Sequence, residues 1–481
     1  MIEVRNGSTN GVVPEAVLFA FDDHSMAFTT GLKLEMVSGK EPGQRNPIVL
    51  GRGSQGEPDD CSVRYYGAVA EVDGELRMWY EAQGTLDCAG GRRICYATSD
   101  DGVHWEKPGL GLIEYGGSRD NNVIDLFDGE PVIGAAPVIH DPEDPDPERR
   151  FKMCIETGRY ANRLTVAFSA DGIRWQVPDF NPVGPPLEMA GLVKWGGCYY
   201  VNGQDEFGWH GSQWGAARKL VTFASYDFEH WTQGSALGFR RDNLPPRPLC
   251  YDWNTEEEVH LGTCAWNRGN VIVGVYGMWH GTPTGDRRFI TMDLGLLVSQ
   301  DALHYREPVP DFRLIPGREE AGAEPGQSPC LMQGQGMINR GDRTLFWYEL
   351  WSGSDVRLAS WDRDRLGFLK VFRERQLVEL PAPELLTCAL SPSGDSRVAL
   401  NVAGLSANAN LLVELVDEHF LPITGFSGDQ GALLSDNGLD QPVVWRGGEP
   451  VPESVGTYRI KATFQGLRAE DARLYAIYVR G

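Results

Sequence analysis

The groups in this chain that could do chemistry cluster near the starts of short strand-like runs. Glu188 opens the run Glu188-Met189-Ala190-Gly191-Leu192, just after Pro185-Pro186. The acidic turn Glu57-Pro58-Asp59-Asp60 precedes Val63-Arg64-Tyr65-Tyr66. His260, with Glu258 two residues before it, opens a third run, and Gln333 opens a fourth. Trp266, Arg268, Trp279 and His280 crowd one stretch with aromatic and basic groups. Two carboxyl groups brought to one point can divide the work of glycoside hydrolysis, one as acid and one as nucleophile or base. Indole rings stack on sugar faces, while Arg and His donate charge-assisted hydrogen bonds to hydroxyls or to an anionic group. Gln204-Asp205 and Glu349 are weaker candidates of the same kind. The plain alternative is a solvated turn for Asp59 and Asp60, a loop glutamate for Glu188, and packing for the rest. The sequence has no metal-ligand spacing, Gly-rich phosphate loop or nucleophile-elbow serine, so no cofactor or metal is expected.

What could bring such distant residues together is a repeat. Ser99-Asp100-Asp101-Gly102-Val103-His104-Trp105 returns as Ser169-Ala170-Asp171-Gly172-Ile173-Arg174-Trp175. Worn copies follow at Ser225-Tyr226-Asp227-Phe228-Glu229-His230-Trp231 and Ser299-Gln300-Asp301-Ala302-Leu303-His304-Tyr305. Each follows an apolar strand-like run, such as Ile94-Cys95-Tyr96-Ala97-Thr98. Gly accepts positive φ and Asp bonds the backbone two residues on, so the motif predicts a tight turn. Its aromatic residue can plug the gap between neighbouring sheets. Self-similarity of this kind predicts an array of small blades that bury their faces only against one another.

Five strand–turn–strand units fit between residues 61 and 372. They turn at Asp73-Gly74, at the acidic loop Asp141 to Pro147, at Gly196-Gly197, at Asn267 to Asn270 and at Gly341-Asp342. Period-two alternation in runs such as Leu76-Arg77-Met78-Trp79-Tyr80-Glu81 supports half-buried antiparallel strands. Residues 1–60 read as an N-terminal extension packing on this propeller. From 373 to 481 the repeat is absent and evenly spaced short strands predict a β-sandwich. The fold class is therefore all-β: a five-bladed β-propeller followed by a C-terminal β-sandwich, with a narrow axial funnel for a sugar-sized ligand.

Bulk properties narrow the partners. The 481 residues exceed one ordinary core, and 58 Gly with 30 Pro suit many turns. A net charge of -23 argues against nucleic acid and anionic membrane surfaces. No apolar run is long enough to span a membrane, and Met1 to Gly7 lacks the pattern of a secretory signal. Nine scattered cysteines then predict reduced thiols in a cytoplasmic protein. Oligomeric state stays open.

At the level of layout the chain resembles the five-bladed propeller glycosidases of glycoside hydrolase families 32, 43, 62, 68 and 130, and most of all family 32. The resemblance runs from about residue 60 to 481. It is carried by Arg357 to Trp361 through Gly367-Phe368, then by Asn410 to Leu415, Pro422 to Phe426, Val443 to Trp445 and Leu474 to Ala476. It implies carboxyl groups at the axis-facing starts of innermost strands. Counting back from the hairpin turn of the third unit lands on Glu188, and Glu188-Met189-Ala190-Gly191 is similar to the Glu-Cys-Pro-Asp motif holding the family 32 proton donor. Cys, Pro and Asp are replaced here. The family pattern places a nucleophile before the first blade, which implies Asp60, then Asp59. Counting back from Gly74 lands instead near Arg64 and Tyr65, which places Tyr65 among the substrate-binding candidates. The orienting Asp of the second blade has no counterpart, since Gly134, Ala135 and Ala136 occupy its place. The implied activity is hydrolysis of a small fructofuranosyl- or arabinofuranosyl-like glycoside. A family 130-like phosphorylase, with phosphate held by His260, Arg268 and Arg287-Arg288, and a non-catalytic sugar-binding propeller are the alternatives.

Overall fold

The computed structural model describes residues 1–39, 44–87, 91–130, 134–205, 218–241, 257–280, 290–318, 330–351, 353–372, 382–448 and 450–481. The repeated motif is a turn that closes on itself. Asp101 Oδ1 accepts from the backbone N–H of Val103 and His104, at 2.8 Å each. Ser99 Oγ accepts from Gly102 N, also at 2.8 Å. The turns at Asp171, Asp227 and Asp301 repeat both bonds of the Asp. Gly102 and Gly172 sit at φ 79° and 78°, while Phe228 and Ala302 hold the same left-handed region at 66° and 62°. A side chain there costs about 1–2 kcal/mol, so the worn copies keep the turn against a local penalty.

The motif aromatics and their neighbours join the sheets. Trp105 Nε1 and Trp347 Nε1 both donate to the Gly102 carbonyl, at 3.1 and 2.9 Å. Trp175 and Trp79 do the same at Gly172, at 3.0 and 2.7 Å. Each carbonyl thus receives one indole from its own turn and one from the adjoining blade.

Three blades are separate four-stranded antiparallel sheets. Blade 2 runs from Val138–His140 to Trp175–Gln176, blade 3 from Glu188–Trp195 to Ala236–Phe239, and blade 4 from Glu257–Asn267 to Arg313–Ile315. Blades 1 and 5 share a seven-stranded sheet, because Gln335 of Leu331–Arg340 bridges Ala68 of Ser62–Val72 in parallel. The innermost strands touch in cyclic order, the first meeting the second and the fifth meeting the first. Blade 5 takes its outermost strand, Ile48–Leu50, from the start of the chain.

The C-terminal residues form two packed sheets whose inner faces make one apolar core, including Leu400, Leu415, Ile460 and Ile477. The N-terminal residues divide between the two units. Ile2–Arg5 pairs with Ala389–Pro392, Glu15–Phe19 with Arg473–Arg480, and Leu32–Met36 with Gly367–Val371. Val17, Phe19 and Phe21 also pack against Val273, Val275 and Leu296 of blade 4. Asn270, in the hairpin turn of that blade, reads the Val17 backbone from both sides. Its Oδ1 accepts from Val17 N at 2.7 Å and its Nδ2 donates to Val17 O at 3.0 Å. Among the described residues no helix is long and apolar enough to cross a membrane.

Candidate functional site

Where the innermost strands begin, their side chains and those of the second strands converge on the propeller axis. Four of these strands carry a β-bulge near this end, at 64–68, 189–191, 260–263 and 333–337. A bulge adds a residue and re-aims the side chains after it. Antiparallel pairing then sets the ends of the second strands beside them: Glu81 opposite Arg64, Gln204 opposite Glu188, Trp279 opposite Glu258 and Glu349 opposite Met332.

Tyr66 marks the point of convergence. Its phenol is pushed well up by burial and by the charges of Glu349, Glu188 and Glu81, against the pull of Arg64. Those carboxyls come from blades 5, 3 and 1. Glu188 is half-buried and accepts a hydrogen bond from Gln204 Nε2, whose Oε1 in turn accepts from Leu261 N of blade 4 at 2.9 Å. Glu349 is fully buried and accepts from Tyr65 N and, at 3.1 Å, from Arg64. Glu81 is fully buried and meets Arg92 at 3.0 Å. Burial raises Glu81 to about 7, opposed by Arg92 and reinforced by Glu349, so it exchanges a proton near neutrality.

Blade 2 supplies a carboxyl from an unexpected strand. Glu156 follows Phe151–Ile155, and its backbone N–H donates to Ala135 O at 3.1 Å. Its half-buried carboxyl lies against Gly134, where a Cβ would fall 2.2 Å from Oε2. The innermost strand lacks an acidic residue at this point, and the second strand reaches into the room that glycine leaves.

Below this end the axis is stoppered. The Gln335 side chain accepts from Leu192 N and Ala265 N and donates to Ala265 O, at 3.1–3.3 Å. Tyr65, expected to face a ligand, is instead enclosed, and its hydroxyl donates to Gln335 O at 2.9 Å. A separate cavity of about 400 Å³, lined by His140, Asp141, Lys194 and Asn267 among others, lies on the far side of Gln335.

The other expected residues are spread over several places. Glu258, His260, Trp279 and Gln333 stand at the same axial end, all buried. His260 stacks on Trp279 at 5.6 Å, and the Arg218 guanidinium lies 4.7 Å from that ring. Gln333 ties blade 5 to blade 4 through His260 O and Gly262 O, at 2.9 and 3.0 Å. His280 lies inside blade 4, bonded to Glu257 at 2.8 Å and Asp293 at 2.9 Å, which raise its affinity for a proton against the cost of burial.

Asp59 and Asp60 are engaged by groups of the chain itself. Asp60 accepts from Gly56 N, Thr85 N and Thr85 Oγ1, at 2.6–2.8 Å, and these bonds hold its carboxyl low. Asp59 accepts from Tyr80 Oη and Lys107 Nζ, at 2.8 and 2.6 Å. Trp266 and Arg268 lie at the other end of their strand, where Arg268 pairs with Asp364 and covers the Trp266 ring at 4.4 Å. That seam joins blade 4 to the C-terminal sheets, since Asp364 also accepts from Tyr478 Oη at 2.8 Å. Arg287 and Arg288 lie outside the described residues.

A repeated tripeptide could have pointed to two of the axial carboxyls. Trp79-Tyr80-Glu81 and Trp347-Tyr348-Glu349 each lie near the end of a second strand, and Glu156 directly follows the corresponding strand of blade 2. Counting back along innermost strands does not reach that position.

No protein-family model and no curated protein matches the chain. Solved structures do. A glycosyl hydrolase from Bacteroides ovatus is 15% identical with a TM-score of 0.47, covering 69% of this chain and 98% of that one. A GH130-family structure, from a family of mannoside phosphorylases containing hydrolases of β-1,2 mannosidic linkages in Candida mannan, is 16% identical with a TM-score of 0.44, covering 69% and 94%. A Bombyx mori GH32 β-fructofuranosidase is 11% identical with a TM-score of 0.40, covering 92% and 95%.

Proposed function

We propose that this protein cleaves a glycosidic bond of a small carbohydrate at the end of the propeller axis where the innermost strands begin. The observation that carries the reading is the gathering of carboxyls from three blades, Glu349, Glu188 and Glu81, around the buried Tyr66. Glu156 is tied to the same place through the backbone, since its N–H donates to Ala135 O and Ala136 N donates to Tyr66 O. Acetal cleavage needs a proton delivered to the departing oxygen and a carboxylate on the other side of the sugar. Glu188 is assigned the proton transfer. Gln204 Nε2 donates to the Glu188 carboxyl and orients it at the start of the strand. Glu156 is assigned the opposing role, as the carboxylate that activates water or attacks. Asp60 is set aside for that role because three hydrogen bonds already occupy both of its oxygens.

The test is a screen of aryl glycosides and short oligosaccharides, with and without inorganic phosphate, followed by Glu188→Gln on any hit. A loss of turnover of about 10²-fold or more with substrate still bound supports the assignment. A variant that keeps both turnover and affinity overturns it. Binding without turnover in the unaltered protein identifies a sugar-binding propeller instead.

A further inference from the structure

Most arginines near the axis are used up by the protein. Arg268 gives both terminal nitrogens to Asp364, and Arg241 is enclosed among Glu257, Tyr276, Glu307 and Asp311. Arg64 and Arg92 differ. Arg64 gives one nitrogen to Glu349 and to the Trp351 carbonyl, and Arg92 gives one nitrogen to Glu81. Among the described residues their remaining N–H groups meet no acceptor. The two side chains are 18% and 29% exposed, whereas the carboxyls behind them are 0% exposed. Each guanidinium is therefore tethered at its buried end with its open end toward solvent. A planar fork fixed in this way is suited to an oxyanion.

The pair belongs to the site already described. Arg92 feels Glu81, Tyr66 and Glu349, and Glu81 feels both arginines. On the reading that this end cleaves a glycoside, we propose that Arg64 and Arg92 hold the carboxylate of an acidic sugar, a uronic acid unit of the substrate. A free phosphate presents the same oxyanion chemistry. The single charge and planar oxygens of a carboxylate suit a place shared with Glu81, Glu349 and Glu188 better than a dianion does, because like charges at close range oppose binding. Glu81 adds a second mark. An anion drawn to Arg92 weakens the hold of that cation on Glu81, so binding draws a proton onto Glu81 near neutral pH.

The experiment titrates the full-length protein calorimetrically with methyl glucuronide and methyl galacturonide, the matching neutral methyl glucoside and galactoside, and inorganic phosphate. It is run at pH 7 in buffers of different ionisation heat. The expected result is a preference of at least tenfold for one uronide over its neutral partner, with proton uptake on binding. Arg92→Gln removes the preference. Because that change alone strands Glu81 without its cation, Glu81→Gln/Arg92→Gln provides a second variant with both charges removed, which loses preference and proton uptake together. Equal affinity for uronides and neutral sugars, or no uronide binding, overturns the proposal. So does phosphate binding more tightly than either uronide and weakening in the same variants, which reassigns the arginines to phosphate. If Glu188→Gln abolishes turnover of a neutral glycoside while the uronide titrations fail, the cleavage reading stands and the anion subsite falls.

Discussion

The Glu156 carboxylate and Gly134 occupy one small volume: a methyl group on residue 134 would lie 2.2 Å from Glu156 Oε2. Gly134 also holds φ at 102°, outside the range that side chains readily adopt. Gly134→Ala is expected to displace Glu156 and to cost about 1–2 kcal/mol from the backbone alone. On a substrate found by the screen, turnover should fall to the level of Glu156→Gln. Gly134→Ala/Glu156→Ala should regain part of the lost melting temperature and none of the activity. Full turnover in Gly134→Ala counts against a catalytic Glu156.

Glu81 gives stability a pH dependence whose direction is fixed. Burial raises its folded-state value from 4.5 to about 7. A raised carboxyl contributes stability that is whole below the unfolded value and is lost as pH climbs through the folded value. The window is therefore about pH 4.5 to 7, and the contribution is on the order of 3 kcal/mol. Melting temperatures from pH 5 to 8 should fall less steeply in Glu81→Gln than in the unaltered protein. Identical slopes would show that Glu81 keeps an ordinary affinity for its proton.

Trp347→Phe should cost about 1 kcal/mol through its hydrogen bond, at the low end for a buried donor. The reason is that the Gly102 carbonyl keeps Trp105 as a second donor at 3.1 Å. The smaller ring then adds a packing loss. Chemical denaturation measures the sum, and a loss above about 4 kcal/mol would mean that the indole does more than join two blades.

Asn270→Ala removes two bonds to Val17 while leaving its own carbonyl to Asn6. A loss of about 2–4 kcal/mol is expected, since the Val17 donor and acceptor stay buried. Calorimetry should show unfolding that is broader or more clearly split than in the unaltered protein, because Asn270 links blade 4 to a strand of the C-terminal sheets.

The sequence makes local chemistry legible. The Asp-centred turns, their positive-φ positions and the five hairpins all depend on neighbours a few residues apart, and alternation within each run shows which face is covered. Pairing across hundreds of residues has no such trace. Nothing in Leu32 to Met36 says that it pairs with Gly367–Val371 and not with a blade. The strand starts were obscured for another reason: a bulge near Arg64, Met189, His260 and Gln333 breaks the count that places side chains on the axis. Glu188 begins its strand, so that count reaches it. Glu81 and Glu349 sit on second strands and Glu156 directly after one, where a reading built on innermost strands does not look.

Ile48–Leu50 zips to Asp355–Asp362, and Glu15–Phe19 lies beside Arg473–Arg480. A chain emerging from the ribosome must therefore carry its opening strands unmatched until its closing ones appear. The propeller strands, from Ile48–Leu50 to Asp355–Asp362, are all made before the C-terminal ones, whereas the C-terminal sheets wait for Arg473–Arg480 to meet Glu15–Phe19. Removing Arg473–Arg480 leaves the facing edges of Glu15–Phe19 and Arg397–Ala403 unpaired, an open place in the middle of the sheet where another strand can add.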